Sequence, residues 1–255
     1  MSVDPLTAAL GSGRHEFASR IVRVGRHRIE LLHVANLEAL VDREAVLRSD
    51  DPVEPPYWAH LWTGAIELAL HLDGHHQCAG QAVLDVGCGL GLVGIVAAVK
   101  GARVTFLDRD PDALAFAAAS AERNGCRPAG LRQADFTRDN LGWRFDLILA
   151  AEVLYDAAAF IPLVRFFSAH LKSGGTVILA DAHRTDTRAF YDALTSSGYR
   201  FTTRTISVRE ERLPLAIDIV TARRIEGGDP TGRQIGAAGM AISQGDRSGE
   251  KGQEP

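Results

Sequence analysis

The stretch LDVGCGLGLVG, Leu84 to Gly94, passes from an apolar run into an apolar helix through glycines at every second position. AVLDVG before and into it reads as a buried strand, and Leu90 to Lys100 as a helix. Gly87, Gly89 and Gly91 allow a tight turn and let the backbone come close to a ligand. The helix that follows presents unpaired N–H groups at its start. A strand, a glycine turn and a helix in this order are the opening unit of an α/β sheet.

Reading toward the C-terminus, strands and helices keep alternating. RVTFLD is a second strand, and DPDALAFAAASAERNG is a helix capped by Asp110, with Pro111 in its first turn and Gly125 as its stop. GLRQAD and FDLILAAE are the third and fourth strands. FIPLVRFFSAHLKSGG is a helix with a glycine stop, TVILAD a fifth strand and TRAFYDALTSSG a further helix. YRFTTRTISVRE and RLPLAIDIVTARR close the core, and their short EERLP link makes them antiparallel. The predicted fold is α/β: a Rossmann-like, seven-stranded, mostly parallel sheet with helices on both faces and an antiparallel C-terminal strand.

Toward the N-terminus, SRIVRVGRHRIELLHV alternates and turns at Gly25, which predicts a hairpin. NLEALVDREAVLR has helical spacing with Asn36 as N-cap, and SDDPVEPP is a polar link. A helix is predicted from Pro56 through PPYWAHLWTG, with Trp58, Leu61, Trp62, Ala65, Leu68, Ala69 and Leu72 on its buried side. Trp58 and Trp62 then lie one turn apart, Trp62 toward the ligand loop and Trp58 in the core. The expected division is an N-terminal extension over residues 1–56, a main domain over 57–225 and a disordered, glycine-rich tail over 226–255.

Composition narrows the partners. The 255 residues carry 28 Lys plus Arg against 32 Asp plus Glu, a net charge of −4, so no nucleic-acid partner is expected. Three cysteines without a CxxC pair argue against a disulfide framework or zinc site and for a reducing, cytoplasmic setting. The start lacks a signal pattern, and the longest uncharged apolar run, Val86 to Val99, is too short to span a bilayer. His71, His75 and His76 read as a solvated helix end rather than metal ligands. A monomer is favoured.

In sheets of this kind ligands bind at the carboxyl ends of the strands. Asp85 can meet a ligand amino group, and Cys88 is a small residue of the same loop rather than a nucleophile. Asp108 can accept from both hydroxyls of a ribose. Asp135 and Phe136 can take an adenine amino group and stack on its ring. Ala150 and Ala151 leave room beside the fourth strand, and Glu152 and Tyr155 project from the loop beyond it. Two nucleotide classes remain open on these residues. Gly89, Gly91 and Gly94 fit the GxGxxG dinucleotide spacing, while Asp85 with Gly87, Gly89 and Gly91 fits DxGxGxG.

The second pattern resembles S-adenosylmethionine-dependent methyltransferases of the seven-strand class, as do the internal position of the loop and the closing strand pair. Glu152 and Tyr155 resemble the (D/E)xxY motif of the protein-lysine methyltransferases and the nicotinamide N-methyltransferase-like proteins grouped with them. PPYWAHLW and RIELLHV are most similar to the branch acting on electron-transfer flavoprotein β. The resemblance covers roughly Arg20 to Arg224. It departs at Phe136, where the group often has Trp, and at Glu152, where it often has Asp. The resemblance implies S-adenosyl-L-methionine as cofactor, held by Trp62, Asp85, Gly87, Cys88, Gly89, Gly91, Asp108, Asp135, Phe136 and Ala151. It implies methylation of a protein lysine, with Glu152 orienting the amine and Tyr155 walling the transferring methyl. A small amine as acceptor, an NAD(P)-dependent oxidoreductase and a non-catalytic cofactor-binding module are the alternatives.

Overall fold

A computed structural model describes residues 16–40, 55–210 and 212–225. The expected loose N-terminus, most of the helix predicted from Asn36, most of the polar link and the C-terminal tail lie outside these residues.

The elements run β1 (Phe17–Val24), β2 (His27–Val34), α1 (Thr63–His75), β3 (Ala82–Val86), α2 (Leu92–Val99), β4 (Arg103–Asp108), α3 (Pro111–Arg123) and β5 (Gly130–Gln133). They continue as β6 (Phe145–Ala151), α4 (Phe160–His170), β7 (Leu171–Asp181), α5 (Arg188–Ser196), β8 (Tyr199–Glu210) and β9 (Leu213–Arg224). β3 to β9 form one seven-stranded sheet in the order β5-β4-β3-β6-β7-β9-β8. β5, β4, β3, β6 and β7 are parallel to one another, and β9 pairs antiparallel with both β7 and β8. The strand order reverses beside β3, so the β3 and β6 loops diverge and leave a crevice at the carboxyl edge.

Period-two alternation divides the core between the two faces of the sheet. Val83, Leu147, Leu149, Ile178 and Ile219 pack with α1, α2 and α3. Leu84, Val86, Ile148, Ala150, Leu179 and Val220 pack with α4 and α5. The β1–β2 hairpin turns at Gly25 as predicted, and Ile29, Leu31 and Leu32 join the first cluster. Ser120 of α3 and Asn124 just beyond its end pin it by accepting from the Leu32 and Glu30 amides.

Three local expectations are corrected. The helix predicted from Pro56 is broken: Tyr57–Ala59 form one 3-10 turn, His60 and Trp62 are extended, and α1 starts at Thr63. The carbonyl of Tyr57 accepts from the His60 amide at 3.3 Å and from the Trp62 indole Nε1 at 2.9 Å, so a side chain takes a backbone acceptor a continuous helix needs. Trp58 and Trp62 are therefore not successive turns of one helix. Second, α4 stops at His170, well before its predicted glycine stop, and β7 starts at once, with Leu171 opposite Phe145. The buried His170 ring donates from Nδ1 to the Phe166 carbonyl and accepts the Leu141 amide at Nε2, anchoring this change of direction. Third, the described part of the segment after Asn36, Leu37–Leu40, is a 3-10 turn rather than an α-helix, while the Asn36 side chain accepts from the Glu38 amide as a cap does.

Candidate active site

The carboxyl-end loops of β3, β4, β5 and β6, together with the segment before α1, line one cavity of about 850 Å³. Trp62, Asp85, Gly87, Cys88, Gly89, Gly91, Asp108, Asp135, Phe136, Ala151, Glu152 and Tyr155 all border it. Residues read from five separate stretches of sequence thus meet in one place.

The glycine loop is held by the acids around it. Asp85 is 2% exposed and accepts the Gly94 amide at 2.8 Å. Burial pushes its carboxyl up to about 8, against the Gly94 hydrogen bond and with help from the neighbouring Asp108. Asp108 is also buried and accepts the Gly89 amide on one oxygen and the Asp110 amide on the other. Burial raises it as well, opposed by those two amides. Gly89 has a φ of +51°, and a Cβ there would lie 3.0 Å from the Trp58 carbonyl oxygen. The chain before α1 thus crosses close over the loop, while the Trp58 ring packs on Phe116 of α3 at 5.5 Å. Burial also pushes the Cys88 thiol well up, as do Asp108 and Asp85, which keeps it out of the reactive thiolate form.

On the β5 side, Asp135 accepts from the Thr137 amide and hydroxyl at 2.9 and 2.6 Å and pairs with Arg138. Burial opposes its ionisation, but these partners together hold its carboxyl below the ordinary value. Phe136 meets Phe166 edge to face.

Beyond β6, Glu152 adopts a left-handed backbone, φ +57°, which carries its side chain away from the strand direction. Its carboxylate accepts the Gly64 amide at 3.0 Å and receives Arg184 through Nε at 2.9 Å and a terminal nitrogen at 3.3 Å. Arg184 also donates to both oxygens of Glu210, at 3.0 and 3.1 Å, and Glu210 accepts the Thr63 hydroxyl at 2.7 Å. The Arg184 guanidinium lies 4.7 Å from the Trp62 ring centroid. Tyr57 packs against Trp62 at 6.0 Å and against Tyr155 at 5.5 Å. Gly64 is needed here: a Cβ would lie 2.6 Å from Glu152 Oε1.

Arg184, Glu210 and Thr63 were not found by reading the sequence. No spacing joins Arg184 to Glu152, 32 residues away, or Glu210 to Thr63, 147 away. The one available signal was the position of Arg184 just past a strand's carboxyl end.

Among the described residues, no three or more His, Cys, Asp or Glu side chains are grouped to hold a metal ion. His75 accepts from Arg204 at 2.9 Å and stacks on His71. No helix among the described residues is long and apolar enough to cross a membrane.

Two buried carboxylates, one with a single backbone donor, suit a ligand that brings a cationic amino group and hydroxyls, as S-adenosylmethionine does. Comparison with known proteins agrees. A family described as a methyltransferase domain matches residues 78–209. Protein N-lysine methyltransferase METTL21A of Danio rerio is 35% identical over 159 residues, 58% of this chain and 71% of that protein. The electron transfer flavoprotein beta subunit lysine methyltransferase of the same species is 35% identical over half of each chain. In three dimensions, Thermus thermophilus 16S rRNA N2 G1207 methyltransferase, solved with AdoMet and guanosine, superposes with a TM-score of 0.57. It is 18% identical and is matched over 82% of this chain and 51% of its own. Ribosomal protein L11 methylase of Lactobacillus delbrueckii gives a TM-score of 0.55 at 21% identity over 81% of this chain and all of its own. Both confirm the fold. The chain belongs to the methyltransferase-domain family and is an S-adenosyl-L-methionine-dependent methyltransferase.

Proposed function

We propose that the enzyme methylates the side-chain amine of a lysine in a protein substrate. The observation that carries this reading is the joined cluster of Glu152, Trp62, Tyr57 and Tyr155 on the cavity wall, a carboxylate among aromatic rings suited to an alkylamine. The printed activities of the METTL21A and electron-transfer-flavoprotein relatives support it. The matches span about half to seven-tenths of those relatives' lengths. A reducing, cytoplasmic setting belongs to the same proposal and is supported by three free thiols.

Asp85 would hold the amino group of the cofactor, Asp108 its ribose hydroxyls and Asp135 and Phe136 its adenine. The glycine loop, Cys88, Ala151 and Trp62 would close around it. When bound, the cofactor would supply an electrophilic methyl on a sulfonium, which the lone pair of a neutral acceptor nitrogen would take as the C–S electrons returned to sulfur. The chain's work is alignment and exclusion of water. An unperturbed lysine is neutral in only about one molecule in a few thousand at pH 7, so the site must also favour proton loss to solvent. Glu152 would orient the amine by hydrogen bonding, and Tyr155 would wall the path of the methyl.

The test uses an extract of the source cells lacking the gene, incubated with enzyme and labelled S-adenosylmethionine. Label recovered as N-methyl-lysine in protein is the expected result; label confined to small molecules favours a small amine acceptor. Glu152→Ala and Tyr155→Ala should lose most of the transfer while still binding S-adenosylhomocysteine. Full activity in both would remove them from the reaction.

A further inference from the structure

Glu152 presents a difficulty as an amine-orienting group. A lone carboxylate beside an alkylamine favours the protonated, unreactive form. The structure contains a counterweight. Glu152 is 4% exposed at its side chain, and both its oxygens are engaged by Arg184, with the Gly64 amide sharing one.

We propose that Arg184 is a positioning residue that aims the Glu152 carboxylate and offsets its charge, so that an acceptor amine can be held beside it in neutral form. The inference rests on the lysine-methyltransferase reading above.

Three elements meet around this one guanidinium, the third through bonds to the two carboxylates that hold it. Glu152 comes from the β6 loop, Glu210 from the end of β8, and the Thr63 hydroxyl and Gly64 amide from the start of α1. Trp62 lies against the guanidinium face. The fork geometry fixes the carboxylate plane as well as its charge. The loop that carries Arg184 is itself fastened. His183 has a φ of +52°, and its ring sits between Asp218 at 2.9 Å and Asp181 at 3.4 Å. Both Glu210 and Glu152 favour the charged guanidinium despite partial burial, so it stays a cation throughout the working pH range.

The charged and titratable groups around the pair are Glu210, which also feels His60, then His183 with its two aspartates, and Tyr57, Tyr155 and Asp156 on the cavity wall. The carboxylates outnumber Arg184. Losing its charge therefore leaves the acceptor beside uncompensated anions and makes its ammonium harder to deprotonate. The proton concerned leaves for solvent before the nitrogen attacks, so no further acid or base is required.

The experiment follows label entering N-methyl-lysine in the same cell extract as a function of pH, with S-adenosylmethionine saturating at every pH. Wild type, Arg184→Gln, Arg184→Lys and Glu210→Gln are compared. Calorimetric titration with S-adenosylhomocysteine shows that each variant is folded at the cofactor site. Arg184→Gln should move the rising limb of the rate profile upward by about one to two pH units. Arg184→Lys should restore its position while remaining slower, because charge is kept and the fork is lost. Glu210→Gln, which removes an anion, should move the limb down. If Arg184→Gln is slower by the same factor at every pH, or Arg184→Lys shifts as far as Arg184→Gln, the inference is overturned. If Arg184→Gln does not fold, the Lys and Glu210 variants decide it: a shifted limb in Arg184→Lys or an unmoved one in Glu210→Gln overturns it. No lysine label from the wild type would instead overturn the underlying reading.

Discussion

If Asp85 holds the cofactor's amino group as proposed, cofactor binding should be a proton-releasing event. In the free protein its carboxyl is 2% exposed, has one backbone donor and titrates at about 8. At pH 7 it is then mostly protonated. A cofactor ammonium placed beside it requires the carboxylate, so binding S-adenosylhomocysteine should release most of a proton at pH 7 and little at clearly alkaline pH. By linkage, affinity should climb nearly tenfold per pH unit below about pH 7 and level off above about pH 8. Calorimetry at one pH in two buffers of different ionisation enthalpy counts the proton directly. Asp85→Asn should abolish the release and weaken binding by about 10- to 150-fold, the worth of one charge-assisted hydrogen bond. The same substitution should stabilise the free protein at pH 8. A carboxyl raised on folding binds more protons in the native state, so its contribution is present below the unfolded value near 3.8 and is lost as pH rises through about 8. A wild type that releases no proton at pH 7, or an Asn variant that releases as many, would refute this account.

Gly64→Ala should cut turnover at least tenfold with little change in S-adenosylhomocysteine affinity, because the new methyl strikes Glu152 Oε1 and displaces the Arg184 clamp; steady-state kinetics with the labelled extract reads this. Gly89→Ala meets both a left-handed φ and the Trp58 carbonyl, and should lower thermal stability by about 1–3 kcal/mol and weaken cofactor binding in calorimetry. His170 is held neutral, first by burial, and its Nε2 accepts the Leu141 amide. Its folded value is depressed, so its contribution is present above the unfolded value near 6.5 and is lost as pH falls through the folded one. Thermal melts in an Asp85→Asn background, which removes the opposing trend, should show this acid loss reduced by His170→Gln.

Much of this protein was legible in its sequence because the signals are local. Buried strands declare themselves by apolar runs, and α3 by Asp110, whose side chain accepts the Asp112 amide, and by Pro111 behind it. The twelve predicted site residues border one cavity for a topological reason: each was placed at a strand's carboxyl end or in the segment beside one, and a sheet whose order reverses at β3 gathers those ends. The failures were also local in cause. Helical periodicity continues through PPYWAHLWTG, yet the Trp62 indole captures the Tyr57 carbonyl, a choice no periodicity records.

The order of residues alone determined the α/β class, the strand sequence and the cofactor loop, since propensity, capping and two-residue alternation act between near neighbours. Tertiary structure alone decided the protonation of Asp85 and the engagement of Glu152. Burial sets the first, through neighbours that arrive from β4 and α2. The second depends on Arg184, Gly64 and Glu210, brought together by the antiparallel return of β8 and β9 and by the break before α1. Charge and desolvation act through space, and their partners here stand 9 to 147 residues apart along the chain.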